Sequence, residues 1–154
     1  MAPNNSQGEP VPISQIARLT VLIVEDDAND LLFLQGAFER SGLNADVHSV
    51  GDGEEAKDYL LANKPFDDRR AHPVPHVILL DLRLPRLSGF ELLEWLGTRP
   101  ELRRLAAVVL TGSAAPHEIE RAFALGAQSC LLKQPDFGAL IPLVRSLQQY
   151  APSS

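Results

Sequence analysis

Five polar side chains close apolar runs in this sequence, and their types belong together chemically. Asp81 ends Val77-Ile78-Leu79-Leu80, and Glu25-Asp26 ends Val21-Leu22-Ile23-Val24. Ala107-Val108-Val109-Leu110 runs into Thr111-Gly112-Ser113, and Cys130-Leu131-Leu132 runs into Lys133. An apolar strand ordinarily stops at a turn residue that need carry no charge. If these strands lie side by side, three carboxylates, a hydroxyl and an ammonium share one rim of a sheet. Carboxylates so placed repel one another unless a divalent cation or a proton neutralises them. Taken singly, the residues have plainer readings. Glu25, Asp26 and Asp27 could cap a helix, Asp81 and Thr111-Gly112-Ser113 could be turns, and Lys133 could be a solvated charge. Their joint placement favours a site.

The elements that must position them follow from periodicity. Strand candidates at 19–24, 46–50, 76–80, 106–110 and 129–132 alternate with helical patterns near 28–41, 53–62, 88–98, 116–125 and 137–149. Asp52 with Glu55 reads as a capping box, and Pro116 suits a first helical turn. Ile119, Ala122, Phe123 and Gly126 form the apolar stripe of the fourth helix, and Phe90, Leu93 and Leu96 that of the third. Pro142 falls inside the last pattern and should kink that helix or delay its start. Beside the Leu140-Val144 stripe, Leu143, Leu147 and Tyr150 form a second apolar strip, which is either a wide core stripe or, left wet by a single buried face, a surface for a partner copy. Strands and helices in alternation indicate an α/β, doubly wound (βα)5 sandwich: a five-stranded parallel sheet with helices on both faces. Such sheets bind ligands beyond the carboxyl ends of their strands, where strand order reverses.

The 154 residues suit one domain at 18–150, with a flexible arm over 1–17 and a tail over 151–154. The stretch Asn63–Pro75, with prolines at its ends and Asp67-Asp68-Arg69-Arg70 between, reads as an exposed, solvated loop. A net charge of −6 without a Lys/Arg run argues against nucleic acid as a partner. One cysteine permits no internal disulfide and fits a reducing cytoplasm. No apolar stretch has membrane-spanning length, and MAPNNSQGEPVP lacks the parts of a signal peptide. A cytoplasmic location without a membrane partner is therefore expected. His72 and His76 are four apart, but Pro73 and Pro75 exclude a helix there, so a metal pair is not expected. His48 and His117 read as surface or edge residues.

The segments LIVEDD, ILLDLRLPRLSGFELL, VVLTGS and GAQSCLLK occur in this order at the ends of the strand candidates. With them the chain resembles the receiver domain of bacterial two-component response regulators over residues 18–150. It is most similar to single-domain regulators found beside phytochrome-type histidine kinases, through its Glu-Asp opening and the insertion before the third strand. The resemblance implies strand order 2-1-3-4-5, with the switch point between the first and third strands. It implies a stand-alone response regulator, with no output domain after Ser154, in a phosphorelay. Asp81 would accept a phosphoryl group from a histidine kinase, with Thr111 and Lys133 contacting that group. Mg²⁺ would be held by Glu25, Asp26, Asp81 and the backbone carbonyl of Arg83. The output would be phosphorylation-dependent protein contacts, including a homodimer through the fourth helix, fifth strand and fifth helix. Self-phosphorylation and self-dephosphorylation are then the only chemistry expected, and the chain is not an enzyme in the ordinary sense.

Other readings are a receiver-like scaffold that is never phosphorylated and a phosphate sink for the kinase. An aspartate-nucleophile phosphatase would need a carboxylate two residues after Asp81, where Arg83 stands. A P-loop nucleotide enzyme lacks its motif. Two departures from the family pattern matter. Cys130 occupies the switch position, three before Lys133, where the family commonly has an aromatic gate, and reads as a packing cysteine. Gln134 separates Lys133 from Pro135, so any cis bond there would be Gln134-Pro135.

Overall fold

In the computed structural model, residues 18–112, 115–133 and 136–152 are described. The arm over 1–17, Ser113, the Gln134-Pro135 bond and residues 153–154 of the tail lie outside these residues. The strands are β1 (Leu19–Val24), β2 (Ala45–Val50), β3 (Val77–Leu80), β4 (Ala106–Thr111) and β5 (Ser129–Leu132). Between and after them come α1 (Ala28–Ser41), α2 (Gly53–Leu60), α3 (Gly89–Gly97), α4 (Pro116–Ala124) and α5 (Phe137–Arg145). All strand pairs are parallel, in the order β2-β1-β3-β4-β5. Every residue of β1, β3 and β4 is buried, as central strands covered on both faces must be.

The pleat divides the apolar residues into two layers. Leu22, Val24, Ile78, Leu80, Ala107 and Val109 meet Ala56, Tyr59 and Leu60 of α2, Leu92 and Leu93 of α3, and Ala122 of α4. Leu19, Val21, Ile23, Leu79, Val108 and Leu110 meet Leu34, Ala37 and Phe38 of α1 and Leu140 and Val144 of α5. Helices therefore cover both faces as expected.

Several local expectations need correction. Asp52 caps α2 by accepting from the Glu55 N–H, but the Glu55 carboxylate reaches the Gly51 N–H instead of closing the box on Asp52. Phe123, placed on the core stripe of α4, is 48% exposed; Ala122 carries the contact. Helix α5 begins at Phe137 without delay, passes through Pro142 and tightens to a 3-10 helix over Ser146–Tyr150. The wet strip needs correction as well. Leu147 stands seven after Leu140 and three after Val144, on the same helix face, and is 1% exposed. Leu143 packs partly against the same core, and the Tyr150 hydroxyl bonds Ser129 Oγ at 2.8 Å. The strip belongs to the core.

The segment 63–75 has neither helix nor strand, yet it is not simply solvated. Arg69 donates to the carbonyls of Tyr59 (3.0 Å), Leu60 (2.8 Å) and His72 (3.1 Å), closing the C-terminal end of α2. Phe66 and His72 stand against the Tyr59 ring, whose hydroxyl donates to the Pro73 carbonyl. His48 joins this cluster and pairs with Asp46, while His117 is exposed. His76 is apart from His72: its Nδ1 accepts the Thr20 N–H at 2.9 Å.

Candidate functional site

The parallel register sets Val24 of β1 beside Leu80 of β3, so the residues that follow them are neighbours at the switch point. These are Glu25 and Asp81. On the same rim come the buried Thr111, the last residue of β4, and the half-buried Lys133 just past β5, tied together by the Lys133 N–H to the Thr111 carbonyl at 2.8 Å.

Helix geometry divides the run Glu25-Asp26-Asp27 into three tasks. Asp27 is the cap of α1, accepting from the N–H groups of Asn29 (2.8 Å) and Asp30 (3.0 Å). Glu25 turns inward with 4% of its side chain exposed; its Oε2 accepts the Asp27 N–H and its Oε1 lies 3.0 Å from Lys133 Nζ. Asp26 is exposed, at the mouth of an open cavity shared with Arg83, Pro85, Ser88 and Glu118. Both oxygens of Asp81 are engaged: Oδ1 accepts the Arg83 N–H at 3.0 Å, and Oδ2 lies 2.8 Å from Lys133 Nζ. Close behind stands Gly89, where a Cβ would overlap the Asp81 carbonyl oxygen and the Leu82 Cα. The absence of a side chain lets α3 begin directly against the Asp81 turn.

Electrostatics follow from this packing. Burial raises the Glu25 pKa, partly offset by hydrogen bonds from Lys133 and Asp27. At Lys133 burial opposes the charge, but the hydrogen bonds to Asp81, Asp30 and Glu25 outweigh it and hold the ammonium above the ordinary lysine range. Lys133 is thus a fixed cation.

The expected meeting of three carboxylates is realised in part. Glu25 and Asp81 converge on one ammonium, while Asp26 stands outside. Among the described residues no group of three or more His, Cys, Asp or Glu side chains is placed to hold a metal ion. The third carboxylate on Lys133 is Asp30, 2.9 Å from Nζ, which the strand-end pattern did not reveal. The Arg83 side chain turns to the Glu118 carboxylate at the start of α4, at 3.2 and 3.3 Å. Cys130 pairs with Val109 in the ladder and is half-buried against the α2–α4 layer, with its thiol pKa raised by burial. It packs against that layer, as expected.

A doubly wound sheet of order 2-1-3-4-5, with acids and a lysine gathered at its switch point, defines a flavodoxin-like receiver. The chain belongs to the response regulator receiver domain family, whose sequence profile matches residues 21–145. A probable methanogenesis regulatory protein of Methanothrix harundinacea, FilR2, is 32% identical over 130 residues, covering 84% of this chain and 81% of that protein. The crystal structure of response regulator RPA3017, in red light signalling of R. palustris, superposes with a TM-score of 0.80 at 32% identity, over 88% of this chain and 99% of that one. The phosphorylated cyanobacterial phytochrome response regulator RcpA follows with a TM-score of 0.77 at 29% identity, over 88% and 94%.

Proposed function

We propose that the chain is a phosphoacceptor of a two-component system, taking a phosphoryl group from a histidine kinase onto Asp81. The observation that carries this reading is Lys133, a fixed cation held 2.8 Å from a carboxylate oxygen at the switch point. A carboxylate and a phosphoryl group are both anionic, so transfer needs positive charge where they meet. In the step itself an Asp81 oxygen bonds to phosphorus as the bond from phosphorus to the donor nitrogen or oxygen breaks, its electron pair leaving with the donor. Lys133 then passes one N–H from Asp81 to a phosphoryl oxygen, and Thr111, at the end of β4, supplies its hydroxyl.

Hard oxygen donors suit a small divalent cation, and Glu25 and Asp81 already share one cation in the form of the Lys133 ammonium. The donor chemistry therefore suits Mg²⁺, and Glu25, Asp26, Asp81 and the Arg83 carbonyl are the groups that would hold it. Bound there, Mg²⁺ would neutralise charge on the transferring group. RPA3017 and RcpA make a phytochrome-type kinase the favoured partner. Residues 18–150 are the proposed functional unit, acting in the cytoplasm. Among the described residues no helix is long and apolar enough to cross a membrane.

Labelling with acetyl phosphate tests the reading. The wild type should incorporate phosphate in a base-labile form, Asp81→Asn should stay unlabelled, and EDTA should abolish incorporation. Acid-stable phosphate on Ser or Thr, or undiminished labelling of Asp81→Asn, would sink it.

A further inference from the structure

Lys133 has three N–H donors and three carboxylate partners. Nζ lies 2.8 Å from Asp81 Oδ2, 2.9 Å from Asp30 Oδ2 and 3.0 Å from Glu25 Oε1. An ammonium has no further donor to offer, so this set is saturated. Under the phosphoacceptor reading, on which this inference rests, the partners have different fates. Asp81 must free an oxygen for phosphorus, and Glu25 is wanted by the metal. Asp30 has neither task. We propose that Asp30 is a positioning residue acting through Lys133, holding the ammonium at the rim while its bond to Asp81 is exchanged for one to a phosphoryl oxygen.

Local structure supports the assignment. Asp30 sits in the first turn of α1, where a carboxylate is favourable in any case. That general preference names no partner, whereas this carboxylate reaches a residue 103 positions away. The cap is already supplied by Asp27, which bonds the Asp30 N–H and fixes the turn, leaving the Asp30 side chain free for Lys133. Beside the pair lies a cavity of about 40 Å³ whose other lining residues are Phe33, Leu34, Leu110 and Leu140. Those walls offer an ammonium nothing to bond, so on the α1 side Asp30 is its anchor. The Asp30 side chain is 42% exposed, which screens the pair and limits the expected effect.

Full-length wild type, Asp30→Asn and Asp30→Glu are compared in two measurements. With acetyl phosphate and Mg²⁺, Asp30→Asn should lower the maximal rate of Asp81 labelling about fivefold with little change in the half-saturating donor concentration, and Asp30→Glu should recover most of it. Without donor, NMR of the Lys133 ammonium should show faster exchange with water in Asp30→Asn and near wild-type exchange in Asp30→Glu. A helix-stabilising role alone would move neither the exchange nor the rate at saturating donor. Wild-type labelling with Asp30→Asn equal to it or faster overturns the positioning role and leaves the phosphoacceptor reading standing. A wild type that takes no label at Asp81 overturns both.

Discussion

His76 completes the sheet with its side chain. Its backbone N–H donates to the Thr20 carbonyl, and its Nδ1 accepts the Thr20 N–H, so one residue closes both bonds ahead of the β1–β3 ladder. Only the imidazole without a proton on Nδ1 can accept, and burial lowers the His76 pKa below 6.5. The folded state therefore disfavours the proton. Stability from this group is full above the unfolded value of about 6.5 and is lost as pH falls through the lower folded value. His76→Asn keeps an acceptor without the titration, so its urea midpoint should fall less between pH 7 and pH 5 than that of the wild type. Equal losses in both proteins would refute the account. Glu25, Asp81 and Lys133 were legible in sequence because each follows an apolar run. Asp30 was not, because a helical residue reveals its partner only once the phase of α1 is fixed. Asp26 shows the reverse: its position was legible, but which way the chain turns it was not.

Periodicity located β1, β5 and α1 to the residue, since alternation, caps and apolar faces agree there. It misjudged segments whose partners are backbone groups. The run Asp67-Asp68-Arg69-Arg70 looks solvated because its charges have no evident mates, yet Arg69 bonds carbonyls at the end of α2 and in the loop itself. Removing it leaves those carbonyls dependent on water, so Arg69→Ala should cost about 2 kcal/mol, read from denaturant unfolding. Arg69→Lys should recover little, because an ammonium cannot reproduce the fork. A loss under about 0.5 kcal/mol would mean that the loop is held by its aromatic contacts instead. The end of α5 was misjudged for another reason: Leu140, Val144 and Leu147 are spaced i, i+4, i+7, so Leu147 belongs to the core stripe from which it was separated.

At the scale of the molecule the α/β class was readable from alternating elements, whereas the strand order, and with it the switch point, came from the family resemblance. The surface was less readable. With Leu147 in the core, the apolar strip once assigned to a partner is gone, and Phe123 on α4 and Leu132 on β5, 48% and 56% exposed, take its place. A homodimer through α4 and β5 is thus proposed on different residues. Phe123→Glu with Leu132→Glu should fold normally and sediment as a monomer where the phosphorylated wild type associates. A wild type that stays monomeric at tens of micromolar, phosphorylated or not, would defeat it. The lysine at the rim bears also on how the chain is made. Glu25, Asp30 and Asp81 are all synthesised before Lys133, and the Asp30–Lys133 pair spans 103 positions. A nascent chain that ends before β5 gathers acids around a buried glutamate without the ammonium that pairs with them, a costly arrangement. Parallel pairing across such separations is also slow. Emergence of β5 from the ribosome is thus the step that relieves the repulsion, so a chain truncated before it should neither settle into a stable sheet nor accept a phosphoryl group.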